Sequence, residues 1–189
     1  MIMKHIILAS NSPRRRELLA GLDLDFEVRV LPDIDESYPK DLSAAEVAGY
    51  ISREKADSYR ALIGEDDLVI TADTVVIVGN EVLGKPKDAD EARRMLHLIS
   101  GRTHQVITGV CLLTTDKEHS FSVTTDVTFK QLSDDEITYY IEHYKPFDKA
   151  GAYGIQEWIG YIGVTSINGS YFNVMGLPVQ RLWEEIKKI

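Results

Sequence analysis

Three consecutive arginines, Arg14, Arg15 and Arg16, follow Ser12 and Pro13. Ser12 is of the type that caps a helix and Pro13 of the type that opens one, so the cations fall in a first turn. The helix macrodipole is positive there and favours Asp or Glu, so three arginines are a local conflict. An anion resolves it: turn N–H groups, the Ser10 and Ser12 hydroxyls and one or two guanidiniums would make a phosphate site after a strand. A solvated basic turn is the other reading of the same residues. Asp73 lies inside LVITADTVVIV, Leu68 to Val78. An ionised carboxylate in such a run needs a cationic partner, a proton, a metal or a cleft to open into, although a structural Asp bonded to backbone N–H groups would also fit. Asp33, Asp35 and Glu36, just after Pro32, gather oxygen ligands of the kind Mg²⁺ or Mn²⁺ takes, or form an ordinary solvated loop. Lys55 shares a face with apolar helical residues and Lys85 stands in Gly84-Lys85-Pro86; each either snorkels to the surface or reaches a ligand.

Other chemistries are excluded by what the spacing lacks. Gly79 to Lys85 fits GxxxxGK, but Pro86 replaces the Ser or Thr of a phosphate loop, and the intervening residues read as hairpin and strand. Gly151 to Gly154 offers GAYG without the third glycine or preceding strand of a dinucleotide fingerprint. There is no GxSxG, and the five histidines, 5, 97, 104, 119 and 143, show no metal-binding spacing. Tyr139, Tyr140 and Tyr144 read as the core and rim of one helix face. Cys111 is the single cysteine, which excludes an internal disulfide or a zinc ribbon.

The elements that must carry these residues alternate imperfectly between strand and helix. Ile6 to Ala9 reads as a buried strand, Pro13 to Gly21 as a helix, and Phe26 to Val30 as a strand. Ser43 with Glu46 forms a capping box opening a helix whose Ala48, Ile51, Tyr59 and Leu62 recur on one face until Gly64. Leu68 to Val78 is a strand covered on both sides, with Gly79-Asn80 turning into Val82 and Leu83. Asp88 with Glu91 caps a helix that Gly101 closes, and strands follow near Gln105 to Thr114 and Phe121 to Lys130. Ser133 with Glu136 caps a helix ending before Pro146. A strand around Tyr161 to Thr165, a turn at Asn168-Gly169 and a last helix from Pro178 with Val179, Leu182, Trp183 and Ile186 inward complete the chain. This is an α/β pattern with a mixed rather than purely parallel sheet, in one domain over 1–189, since no repeat or linker interrupts it.

Composition bounds the function classes. The 189 residues are 44% hydrophobic and 27% charged, the profile of a globular fold, with a net charge of −9 that disfavours grip on nucleic acid phosphates. Residues 1 to 16 nevertheless hold Lys4, Arg14, Arg15 and Arg16 and no acid, so a small phosphate-bearing ligand can still be met locally. Apolar runs fall short of the roughly 18 to 20 residues of a membrane span, and a cytoplasmic protein with no membrane partner is expected.

The sequence resembles the Maf family at Leu8-Ala9-Ser10-Asn11-Ser12-Pro13-Arg14-Arg15, Asp35-Glu36, Lys55, Ala72-Asp73-Thr74, Leu83-Gly84-Lys85-Pro86, Ser100 to His104, Asp148 to Gln156 and Met175-Gly176-Leu177-Pro178. The resemblance implies an elongated, two-lobed α/β architecture, inosine triphosphatase-like, with a mixed twisted sheet flanked by helices and a central cleft. It implies hydrolysis of nucleoside triphosphates between the α- and β-phosphates, with a divalent metal (Mg, Mn or Co). On that basis Asp73 is the catalytic carboxylate that activates water. Ser10, Arg14, Arg15, Lys55 and Lys85 surround the triphosphate, and Glu36 with Asp73 holds the metal. Arg14, Thr74 and Gln156 fall at positions tied to base selectivity in the branch preferring dTTP and UTP; the branch acting on 7-methyl-GTP is expected to carry Glu in place of Gln156. A homodimer is implied too. A non-catalytic nucleotide-binding regulator of septum formation is the alternative from another class, and a nucleic-acid-binding module is the reading that the charge opposes.

Overall fold

In a computed structural model, residues 4–189 are described and form a seven-stranded mixed sheet with flanking helices. The elements run β1 (His5–Leu8), α1 (Pro13–Ala20), β2 (Phe26–Val28), α2 (Val47–Asp57), β3 (Asp67–Val78), β4 (Glu81–Leu83), α3 (Ala89–Ile99), β5 (Thr103–Leu113), β6 (Glu118–Phe129), α4 (Asp134–Tyr144), α5 (Trp158–Gly163), β7 (Val164–Asn168), α6 (Tyr171–Met175) and α7 (Val179–Ile186). Strand order is β2-β1-β3-β5-β6-β7, with β4 on β3. β1 pairs in parallel with β2 and β3, which is why α1 and α2 serve as crossovers; β3–β4 and β6–β7 are antiparallel. Among the described residues no helix is long and apolar enough to cross a membrane.

The chain forms two compact units. The first takes the chain up to Asp73 with Thr108–Val123 and Gly176–Ile189; the second comprises Thr74–Ile107 and Thr124–Met175. Each has its own core. In the first, Ile7, Ala56, Tyr59, Val69, Cys111 and Leu113 pack together. In the second, Met95, Leu96 and Ile99 of α3 and Ile137, Tyr140 and Ile141 of α4 meet Val127 and Phe129 of β6. Such cores are held chiefly by the removal of apolar surface from water, worth about 25 cal/mol per Å². Within the first unit α2 lies so close to β5 that a Cβ on Gly109 would stand 2.4 Å from the Ala48 backbone, so only glycine permits the approach.

Local chemistry explains most boundaries. Ser12 caps α1, its hydroxyl accepting the Arg15 N–H, and Pro13 opens the helix. Asp88 caps α3 by accepting from the Glu91 N–H, and Ser133 and Glu136 form a reciprocal box at α4. Four expectations need correction. The helix expected to reach Gly64 ends at Asp57: the Tyr59, Arg60 and Leu62 N–H groups bond three residues back, tightening the chain into turns, and Leu62 is exposed. Ser43 and Glu46 open a single 3-10 turn, Ala44–Glu46, before α2 starts. The strand expected over Tyr161 to Thr165 is displaced to Val164–Asn168 by helix α5, and Trp183, expected inward on α7, is 38% exposed with the Lys187 ammonium 5.3 Å from its ring centroid.

Candidate active site

The basic turn and the mid-strand carboxylate belong to the same unit. β1 ends at Leu8, and the chain leads through Ser10 into α1, whose first turn contains no acidic residue. Ser10 is buried; its hydroxyl accepts from the Ser12 N–H at 3.2 Å and from Arg15 Nη1 at 3.5 Å. Arg15 also donates through Nε to the Gly176 carbonyl at 2.8 Å, so the segment before α7 fixes one edge of its guanidinium. Burial lowers the Arg15 pKa from its usual value; Asp73 and Glu36 oppose this, and Arg14 reinforces it. A desolvated guanidinium with a cationic neighbour is stabilised by any further anion. Arg14 is half-buried and Arg16 exposed.

Asp73 sits where the covering of β3 relaxes: Leu68 to Ala72 are buried, Asp73 and Thr74 are partly open, and Val75 to Ile77 are buried again. Lys55, on α2, supplies the partner that the sequence demanded. Its Nζ lies 2.9 Å from Asp73 Oδ1 and 2.8 Å from Glu36 Oε1, with side chains 12% exposed for Lys55, 14% for Asp73 and 50% for Glu36. The apolar face of α2 thus carries its lysine to a carboxylate pair instead of to bulk water. Neighbouring Ser52 and Thr71 are neutral and buried, the Thr71 hydroxyl donating to the Ser52 carbonyl at 2.6 Å.

The acidic loop does not act as a unit. Asp35 accepts the Ser37 N–H and hydroxyl, both at 2.8 Å, and these bonds lower its pKa; Asp33 is exposed at φ 56°. Of the three acids expected there, Glu36 reaches the Lys55 ammonium. Among the described residues no group of three or more His, Cys, Asp or Glu forms a cage for a metal. Glu36 and Asp73 nonetheless fit a hard divalent cation, since Mg²⁺ is commonly held by one or two carboxylates together with substrate phosphates.

The remaining expected residues are in the second unit. Thr74 follows Asp73 on β3 and is partly open; Lys85 is exposed between β4 and α3. Gln156 lies in the turn before α5, its Oε1 buried with no hydrogen-bond partner among the described residues. Sequence reasoning missed what surrounds that turn. Tyr140 reads from sequence only as core, yet its hydroxyl accepts the Gly154 N–H at 2.9 Å and donates to Glu157 Oε2. Lys149, buried, is 3.1 Å from Glu157 Oε1. Nearby, His104 and Tyr153 share a 2.6 Å bond in the same core.

These features find a family. The chain belongs to the Maf family, whose profile, described as Maf-like protein, matches residues 5–189. A Phocaeicola vulgatus protein named dTTP/UTP pyrophosphatase is 62% identical over 97% of this chain and 95% of its own length. Proteins of the same name from Parabacteroides distasonis and Bacteroides thetaiotaomicron are 60% identical (96% of this chain, 94% of theirs) and 59% identical (97% and 95%). Among solved structures, a HAM1 protein from Coxiella burnetii aligns with a TM-score of 0.52 over 99% of this chain and 100% of its own at 16% identity. The Staphylococcus aureus Ham1 protein gives 0.50 over 67% and 72%, also at 16% identity. Both share the α/β fold.

Proposed function

We propose that residues 1–189 act as one nucleoside triphosphate pyrophosphatase domain that hydrolyses dTTP and UTP to the monophosphate and pyrophosphate. The observation that carries this reading is the convergence of the Asp73 and Glu36 carboxylates on Lys55, within the electrostatic reach of the desolvated Arg15. A triphosphate brings about four negative charges, and its hydrolysis requires those charges neutralised while water is oriented for in-line attack. The names of relatives at 59–62% identity supply the substrate class.

In this mechanism Asp73 accepts the proton of a water whose oxygen bonds to the α-phosphorus, and the bond from that phosphorus to the bridging oxygen breaks as pyrophosphate leaves. Ser10, Arg14, Arg15, Lys55 and Lys85 bind the phosphate oxygens, the arginines through forked N–H pairs. A divalent cation, Mg, Mn or Co, held by Glu36 and Asp73 would supply Lewis-acid neutralisation of the phosphates and a more acidic water. Lys55 meanwhile keeps the two carboxylates from repelling one another. Arg14, Thr74 and Gln156 set the preference for thymine and uracil. The net charge of −9 supports free nucleotide over nucleic acid as substrate. A cytoplasmic location, expected from the short apolar runs, and a homodimeric state, which rests on the family resemblance, belong to the same proposal.

Incubation with dTTP and Mg²⁺ or Mn²⁺, with products resolved, tests the reaction. dTMP plus pyrophosphate is expected, and Asp73→Asn is expected to lower turnover by about 1000-fold, on the order of losing one central electrostatic group, with the fold retained. Release of dTDP plus orthophosphate would refute the bond assignment. Tight binding without turnover would return the protein to the regulator reading, and full turnover by Asp73→Asn would remove Asp73 from the mechanism.

A further inference from the structure

The turn Gly154-Ile155-Gln156-Glu157 is closed by the Glu157 N–H donating to the Gly154 carbonyl at 3.0 Å. Both of its ends are also tied to one buried hydroxyl. Tyr140 of α4 accepts the Gly154 N–H at 2.9 Å and donates to the Glu157 carboxylate. Lys149 holds the other Glu157 oxygen at 3.1 Å and reaches Asp148 Oδ1 at 2.9 Å. The lysine and glutamate chains lie directly against the Gly154 backbone, since a Cβ there would stand 2.9 Å from Lys149 Cε and 3.0 Å from Glu157 Cδ. Burial and the Glu157 carboxylate both push the Tyr140 hydroxyl far above its usual range, so it stays a donor at any physiological pH.

All of this surrounds one residue whose own amide oxygen is left over. Gln156 Oε1 is buried with no hydrogen-bond partner among the described residues. An unpaired buried acceptor costs about 1–3 kcal/mol, and such a group is a natural place for a ligand donor. Thymine and uracil present N3–H between their two carbonyls. Cytosine presents a bare N3, which would set acceptor against acceptor.

We propose that Tyr140, Glu157 and Lys149 are positioning residues for Gln156, fixing its amide so that Oε1 accepts the N3–H of thymine or uracil and rejects cytosine. This rests on the reading of Gln156 as a base-selectivity residue. A turn pinned at both ends fixes the backbone from which the Gln156 side chain projects and so narrows the orientations open to its amide, and a restricted acceptor discriminates far better than a mobile one, which can turn its NH₂ toward cytosine.

The test is the ratio of kcat/KM for dTTP to that for dCTP, read by pyrophosphate release from the full-length protein, with thermal midpoints measured alongside. Tyr140→Phe keeps the ring packing and removes the hydroxyl. It is expected to lower the ratio about tenfold, mainly by raising KM for dTTP, and to add nothing in a Gln156→Ala background. Lys149→Met, which leaves the hydroxyl in place, is expected to lower the ratio about threefold and serves should Tyr140→Phe not fold. If Gln156→Ala collapses the ratio while both Tyr140→Phe and Lys149→Met preserve it, the positioning role is overturned and Gln156 stands alone. If Gln156→Ala itself leaves the ratio unchanged while pyrophosphate is still released, base reading by Gln156 is overturned and the positioning role with it, the pyrophosphatase activity standing.

Discussion

His104 gives the protein an acid-sensitive stability with a defined pH window. The residue lies on β5 and is 1% exposed; its Nε2 pairs with the Tyr153 hydroxyl, its Nδ1 has no hydrogen-bond partner among the described residues, and the Phe129 and Tyr153 rings enclose it. Protonation would create a second N–H with no acceptor in an apolar core, and burial accordingly pulls its pKa from 6.5 down to about 4. The folded-state value is depressed for a base, so below 6.5 the unfolded chain binds a proton that the folded chain refuses. Stability is full above pH 6.5 and declines as pH falls toward 4. Between about pH 7 and pH 5 the linkage amounts to about 2 kcal/mol. Carboxylates are ionised in both states over most of that interval and add little, since their unfolded values lie near about 4. Urea unfolding across that interval is expected to show this loss in the wild type, and His104→Gln, which does not titrate, is expected to show a slope shallower by that amount. The same pH slope in both proteins would refute the argument, because the loss would then originate elsewhere.

Two other perturbations follow from the charged site. Lys55→Met removes the shared partner of Asp73 and Glu36 and leaves a largely buried carboxylate unpaired; a loss of about 3 kcal/mol in urea unfolding is expected, together with loss of dTTP turnover. Unchanged stability would mean that solvent already screens the pair. Arg15→Lys keeps the charge but has neither the Nε donor to Gly176 nor the planar fork, so KM for dTTP is expected to rise about tenfold with the thermal midpoint little changed. An unchanged KM in steady-state assays would remove Arg15 from phosphate binding.

The parts of the fold legible in the sequence are those fixed by close neighbours along the chain. The α1, α3 and α4 starts follow from Ser12, Asp88 and Ser133, each of which satisfies an N–H three residues on. The β3–β4 hairpin follows from Gly79-Asn80, and the observed Val76–Leu83 register is the result. What was not legible depends on distant packing. WIGYIG in α5 carries two glycines and would be a poor isolated helix, and six residues are too few for periodicity to register. The end of α2 is similarly decided away from its own stripe: Tyr59 remains in the core, but its hydroxyl is taken by the Arg29 carbonyl at 2.8 Å and the Leu31 N–H at 3.1 Å, contacts that tie the tightened turn to the segment after β2.

The charged site was legible for a related reason. A cation at the positive end of α1, a carboxylate in an apolar strand and a lysine on an apolar helix face are each unfavourable alone, so each signals a partner that local structure does not supply. The fold joins two of these anomalies directly, Lys55 with Asp73, and brings the third, Arg15, into their field. The Tyr140, Glu157 and Lys149 set gave no such signal. A tyrosine on the apolar face of α4 violates nothing, and its hydroxyl acquires meaning only when Gly154 and Glu157, 14 and 17 residues later, are folded onto it. Residues that oppose their own surroundings can therefore be found from sequence, whereas residues that orient others while agreeing with their surroundings require the fold.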